Sequence, residues 1–125
     1  MPHTVTPSGN GLLRKFTGLV TNTEYQSAVE TLYSSQKFDD LSYVINDFTD
    51  ATLNENFIEA IDYSAAFFVS ARLTNRRFRL AYVTTNKEIA QEIKESFAIS
   101  GFGEKIVKVC ENLELAEEFV HSRHS

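Results

Sequence analysis

Asp47 and Asp50 stand three residues apart at the end of a predicted strand, where two carboxylates could hold a cation or divide acid and base roles. No third ligand or nucleophile lies beside them in sequence. Their expected roles are therefore structural, with Asp50 opening a turn and Asp47 accepting loop N–H groups. Thr49 and Thr52 complete a polar rim around the pair. The histidines, His3, His121 and His124, lie at the chain ends, where mobility works against a general base that must be held within hydrogen-bond reach of its proton. Cys110, the single cysteine, closes a predicted strand and reads as a small buried hydrophobe rather than a nucleophile. Gly101-Phe102-Gly103 follows a helix and precedes a strand, the reverse of the order in a phosphate loop, and reads as a turn. No catalytic residue, metal ligand or cofactor site is assigned on these grounds.

Two surface features invite a partner instead. Arg72, Arg76, Arg77 and Arg79 are four of twelve basic residues; without them eight basic residues would face seventeen acidic ones, a charge of −9. Arginines so grouped can grip an anion or an acidic partner through paired hydrogen bonds, or they can offset the negative pole of the helix that ends among them. The second feature lies on a long predicted helix, from about Asn54 to Leu73. At 100° per residue, Phe57, Ile61, Ala65 and Phe68 form one apolar face. Ala60, Tyr63, Phe67 and Ala71 form another, with Glu55, Glu59 and Asp62 confined to a narrow arc. That second face is expected either to make a homodimer or receive a partner, or to pack on a neighbouring helix of the same chain.

The totals restrict the function classes. The 125 residues fit one domain, with an ordered core expected over about 12–120. With 42% hydrophobic and 23% charged residues the chain can build a core without disulfides or metals. A net charge of −5 disfavours global nucleic-acid binding, which draws its affinity from neutralising phosphates. A lone cysteine allows no internal disulfide, and no apolar run reaches the roughly 20 residues of a membrane span, so the expected location is the cytoplasm.

The elements that position these residues alternate. An edge strand over His3–Thr6 and a turn over Pro7–Gly11 precede a strand over Leu12–Val20, in which Leu13, Lys15 and Thr17 face opposite to Leu12, Arg14 and Phe16. Thr21 and its neighbours start a helix carrying Tyr25, Ala28, Val29, Leu32 and Gln36 on one face. A strand over Leu41–Phe48, a turn over Thr49–Thr52, the long helix and a near-continuous apolar strand over Phe78–Thr84 follow. Asn86 caps a third helix, Lys105–Cys110 is the last strand, and Asn112 caps a final helix with Leu115, Ala116, Phe119 and Val120 inward. Strands joined through helices run parallel, so the class is α/β, with four parallel strands centred near Phe16, Val44, Ala81 and Val107. Ser42, Asn46, Arg79 and Lys108 occupy strand positions that a sheet covered on both faces rarely tolerates.

Phe16-Thr17-Gly18-Leu19-Val20-Thr21, Val44-Ile45-Asn46-Asp47-Phe48-Thr49, Arg79-Leu80-Ala81-Tyr82-Val83 and the C-terminal Glu114-Leu115-Ala116-Glu117-Glu118-Phe119-Val120 together resemble the STAS superfamily (sulfate transporter and anti-sigma-factor antagonist). The layout is most similar to the small stand-alone stage-II-sporulation-AA-like proteins, from about Leu12 to Val120. That resemblance implies four β–α units with strands in sequential order, plus a short antiparallel N-terminal edge strand. It also implies a relationship to lipid-binding folds. The family's phosphorylatable Asp-Ser-Ser-Gly-like turn is absent: the second helix opens from Ala51-Thr52-Leu53-Asn54-Glu55-Asn56-Phe57, with Thr49 and Thr52 the nearby hydroxyls. A phosphoacceptor receiver has the same alternation but needs acidic residues where this chain has Thr21-Asn22-Thr23.

The expected function is a non-catalytic binding or regulatory module that engages a protein partner, a second copy of itself, or a small apolar or anionic ligand. Two alternatives come from other classes. One is an enzyme using the rim of Thr21–Thr23, Asp47–Asp50, Thr84–Asn86 and Glu111; the other is a structural homo-oligomer.

Overall fold

The computed structural model describes residues 3–122. Five strands alternate with four helices: β1 (His3–Ser8), β2 (Gly11–Val20), α1 (Asn22–Tyr33), β3 (Tyr43–Leu53), α2 (Phe57–Thr74), β4 (Arg79–Val83), α3 (Lys87–Ile99), β5 (Val107–Cys110) and α4 (Leu113–His121). A single 3-10 turn, Phe38–Asp40, interrupts the path from α1 to β3. The strands lie in the order β1-β2-β3-β4-β5. β1 runs antiparallel to β2, and the remaining neighbours are parallel, with Leu12 opposite Val44, Val44 opposite Leu80 and Leu80 opposite Val107. The sequential order, the parallel pairing and the antiparallel edge strand all agree with the expectation from sequence.

Local capping explains where the helices begin. Thr21 Oγ1 accepts the Glu24 N–H at 3.2 Å, Asn86 Oδ1 accepts the Glu88 and Ile89 N–H groups at 3.0 and 3.1 Å, and Asn112 Oδ1 accepts that of Leu115 at 2.9 Å. Each satisfies donors that the first turn of a helix leaves without partners. Period-two alternation along the strands then divides the core. Phe16, Val44, Phe48, Leu80 and Tyr82 face α1, α2 and α3, whereas Tyr43, Ile45, Ala81 and Val83 face α4.

Four expectations are corrected. The turn expected over Thr49–Thr52 is strand: β3 continues to Leu53, because β2 is long enough to pair with it. A register shift sets Lys15 opposite Asp47 but Thr17 opposite Asp50, which inserts one extra residue in β3. The bulge keeps Ala51 and Leu53 packed on the same core as Phe48 and Val20. The long helix starts at Phe57 rather than Asn54, and α1 ends before Gln36, which is exposed. Leu115, expected inward, is 43% exposed, because α4 rests on the sheet through Ala116, Phe119 and Val120.

The second face of α2 packs on a neighbouring helix of the same chain. Ala60 and Ala71 are buried, Tyr63 donates to Glu30 Oε1 on α1 at 2.6 Å, and Phe67 stacks on Tyr33 of α1 at 6.2 Å. On the opposite side Asp62 Oδ1 accepts from Ser96 Oγ of α3 at 2.5 Å. A helix flanked by two others on one face of a sheet is covered on three sides, and its apolar character follows from that position.

Candidate functional site

The residues singled out by sequence do not converge. Asp47, 5% exposed, accepts the Thr49 N–H at 2.9 Å and the Thr49 hydroxyl at 2.5 Å through the same oxygen. It therefore holds its own bulge in place. Asp50 pairs with Lys15 at 3.0 Å on the surface, an exposed ion pair of small energetic weight, and Thr52 is exposed opposite Leu19. Among the described residues no three acidic, histidine or cysteine side chains group as metal ligands.

The four arginines separate into two kinds. Arg72 donates to the carbonyls of Arg76 and Phe78, tying down the turn after α2. Arg79 donates to the carbonyls of Phe119 and Ser122, both at 2.8 Å, and lies over the Phe119 ring, so it closes the C-terminus of α4. Arg76 and Arg77 are exposed in the turn.

Cys110 is 4% exposed, and burial pushes its thiol up, away from the thiolate that would react. Native protein is therefore expected to resist a thiol-specific disulfide reagent such as dithiobisnitrobenzoate and to react once unfolded in urea. Rapid stoichiometric labelling of the folded chain would show the thiol to be accessible. Gly101-Phe102-Gly103 is a turn, as expected, with Gly101 at φ +94° and Phe102 packed edge-on against Phe68 at 4.8 Å.

Two cavities stand out. One, of about 650 Å³, lies at the carboxyl ends of β4 and β5, where Thr84, Lys87, Gln91, Lys94 and Glu111 meet over Cys110. It unites two parts of the expected rim, Thr84–Thr85 and Glu111, beside two lysines of α3. The other, of about 460 Å³, runs between the β1–β2 hairpin and α1, within the size range of small-molecule sites. Val5, Leu12, Ala28, Leu32 and Leu41 make its walls largely apolar, and Arg14 and His3 are set among them.

Arg14 is the unusual group. It is 4% exposed, in phase with Leu12 and Phe16 on the core side of β2. Its Nε donates to Asn46 Oδ1 at 2.9 Å and its Nη1 to the Ala28 carbonyl at 2.8 Å. Nη2 has no acceptor among the described residues. The ion pairs among the described residues are Lys15–Asp50 and Glu117–His121, so this buried cation has no counter-ion. Behind it a polar chain crosses the core: Asn46 Nδ2 donates to the Tyr25 hydroxyl at 3.3 Å, Tyr25 and Tyr82 share a 2.7 Å hydrogen bond, and Ser64 follows at 3.3 Å. Burial raises the Tyr25 and Tyr82 hydroxyls above the ordinary phenol range, so they remain protonated and can link the chain.

His3 lies in the edge strand expected over His3–Thr6. It sits in β1 opposite Phe16, stacks on that ring at 4.8 Å, and its buried Nδ1 has no partner. Burial, and next the charge of Arg14, hold its pKa below the ordinary histidine value. His121 lies edge-on to Tyr43 at 5.2 Å and 4.0 Å from Glu117; His124 lies outside the described residues. Sequence reasoning passed over Arg14 because a single arginine in an alternating strand looks like a solvent-facing residue. Its phase with Leu12 and Phe16, beside a flagged Asn46 on the next strand, was the available signal.

No family model matches this chain, and no curated protein is similar to it in sequence. Among solved structures the chain is similar to a crystal structure of an uncharacterised protein of the DUF3478 family, with a SpoIIAA-like fold, from Shewanella loihica PV-4. The two share 16% identity and superpose with a TM-score of 0.52, over 94% of this chain and 91% of that one. At this identity the likeness concerns the fold. The likeness gives this chain's five-stranded α/β architecture as a SpoIIAA-like fold.

Proposed function

We propose that the protein is a non-catalytic binding module whose ligand is a small molecule with an anionic group and an apolar body, taken in the groove between the β1–β2 hairpin and α1. One observation carries this reading: among the described residues, Arg14 is buried at the groove without a counter-ion, and one of its guanidinium nitrogens has no acceptor. Moving a cation out of water is unfavourable by several kcal/mol even after the protein relaxes. Its two hydrogen bonds, to a side-chain amide and a carbonyl, return about 1.5–3 kcal/mol each. An anion arriving in the groove would supply the remaining compensation. The apolar walls supply the rest of the binding energy, in proportion to the ligand surface they remove from water.

A fluorescent monoanion with an aromatic body, anilinonaphthalenesulfonate, tests this on the full chain. It should bind folded protein at a single saturable site. Thr31 is an exposed residue of α1 that lines the groove, and Thr31→Trp should fill the space and abolish the signal without lowering the thermal midpoint. A signal that Thr31→Trp leaves unchanged would place the dye elsewhere and remove the support for this site.

A further inference from the structure

We infer that the ligand of this groove is an apolar monocarboxylate, its head held between Arg14 and His3 and its body laid along Val5, Leu12 and Leu32. The inference rests on the reading above and narrows it to one class of compound.

Strand pairing places the two head-binding side chains together. His3 is opposite Phe16 and Val5 is opposite Arg14, and all four face α1 because paired residues of neighbouring strands share a face. The Phe16 ring carries His3 stacked at 4.8 Å, and the Arg14 guanidinium carbon lies 5.8 Å from the ring centroid. Among the described residues, Arg14 Nη2 and the buried Nδ1 of His3 are the two nitrogens at this end of the groove without a hydrogen-bond partner. A carboxylate has two oxygens in one plane, so it can accept from a guanidinium edge and from an imidazole N–H at once.

Charge balance selects a monoanion. Arg14 is the buried cation at the groove end; burial and then the charge of Arg14 lower the pKa of the neighbouring His3, while the N-terminal ammonium and Glu24 act on it with opposite signs. A carboxylate cancels the charge of Arg14. A phosphate monoester brings between about −1.5 and −2, which would leave an uncompensated negative charge in the same low-dielectric space. Glu24, whose charge also reaches His3, repels any anion at this end and repels a dianion about twice as strongly as a monoanion. Among the described residues no helix N-terminus or glycine-rich turn lines the groove to add donors for a second charge.

The groove also sets the size of the body. From Arg14, Leu12 lies two residues toward the start of β2, a distance of about 7 Å that roughly six to eight carbons would span. Beyond it Leu41 and the exposed Lys37 mark the mouth, and Val5, 50% exposed, forms an apolar lip on β1.

Calorimetry on the full chain with sodium octanoate, octyl phosphate and 1-octanol separates the possibilities. Octanoate is expected to bind one-to-one and about ten-fold or more tighter than either of the others. Arg14→Met should weaken octanoate at least about thirty-fold, the lower end for losing a buried charge partner, and should leave octanol unchanged. His3→Phe keeps the stacking on Phe16 and removes Nδ1, so it provides the same test if Arg14→Met does not fold. It should weaken octanoate by about ten-fold, the loss of one hydrogen bond to a charged group. Octyl phosphate binding as tightly as octanoate would overturn the monocarboxylate class while leaving the anion-binding groove in place. Octanoate binding unaffected by both variants would overturn the head contacts. An anilinonaphthalenesulfonate signal indifferent to Thr31→Trp would instead remove the groove itself.

Discussion

Asn46→Leu is expected to destabilise the fold by about 3 kcal/mol, and adding Arg14→Met is expected to recover most of that loss. Asn46 is 1% exposed and, among the described residues, is the only side chain that accepts from Arg14. Removing its amide leaves the Arg14 Nε–H buried without an acceptor, and the Tyr25 hydroxyl loses its donor at 3.3 Å. A hydrogen bond to a charged group contributes about 1.5–3 kcal/mol, and an orphaned buried donor adds its own desolvation penalty. Methionine at position 14 replaces the cation with an unbranched apolar side chain, so the double variant has an apolar pair where the single one has a stranded charge. Urea denaturation of the four proteins closes the cycle, and the expected coupling is about 1–3 kcal/mol, favouring the double variant. Strict additivity would mean that Arg14 and Asn46 do not depend on each other, and the site would lose the support that holds its guanidinium.

Gly11→Val is expected to destabilise the protein by about 3 kcal/mol through overpacking, although position 11 opens a strand and follows a turn. A Cβ at Gly11 would stand 2.5 Å from the Tyr43 ring, whose parallel partner in the sheet is Gly11 itself. Tyr43 is 2% exposed and lies in the core beneath α4, so it cannot swing aside cheaply. The contrast is Gly18, at φ +69° with open space around its Cα: Gly18→Ala meets no neighbour and should cost only the left-handed backbone penalty of about 1–2 kcal/mol. Thermal or urea unfolding of the two variants checks the order. If Gly11→Val proved milder than Gly18→Ala, the close approach of the Tyr43 ring to the β2 backbone would be wrong.

Fold class was determined along the chain itself, because its signals are local, whereas the sequential strand order was what the family resemblance implied. Thr21, Asn86 and Asn112 cap the helices by bonding to N–H groups two or three residues ahead, so each start can be read from a few neighbouring letters. Alternation with period two in β2 already separated Leu12, Arg14 and Phe16 from Leu13, Lys15 and Thr17, and that division is the one seen in the sheet. The structural role of Asp47 was equally legible, since its acceptor is answered by Thr49, two residues away.

Tertiary structure decided what depends on neighbours distant in sequence. Thr49–Thr52 looks like a turn by composition, and it becomes strand because Thr17–Val20 offers a pairing partner more than thirty residues earlier and a bulge restores the phase of Ala51 and Leu53. Tyr63 and Phe67 look like an exposed aromatic face until α1 lies against them through Glu30 and Tyr33. Gly11 reads as a turn residue, and only the ring of Tyr43 explains why it has no side chain. The groove follows the same logic most fully. His3, Arg14, Ala28 and Leu41 are unremarkable one at a time, and they become a site when β1, β2, α1 and the 3-10 turn enclose a charge that water can no longer solvate. Burial is a property of the assembled chain, and it turns a routine strand arginine into a cation held away from water with no counter-ion among the described residues.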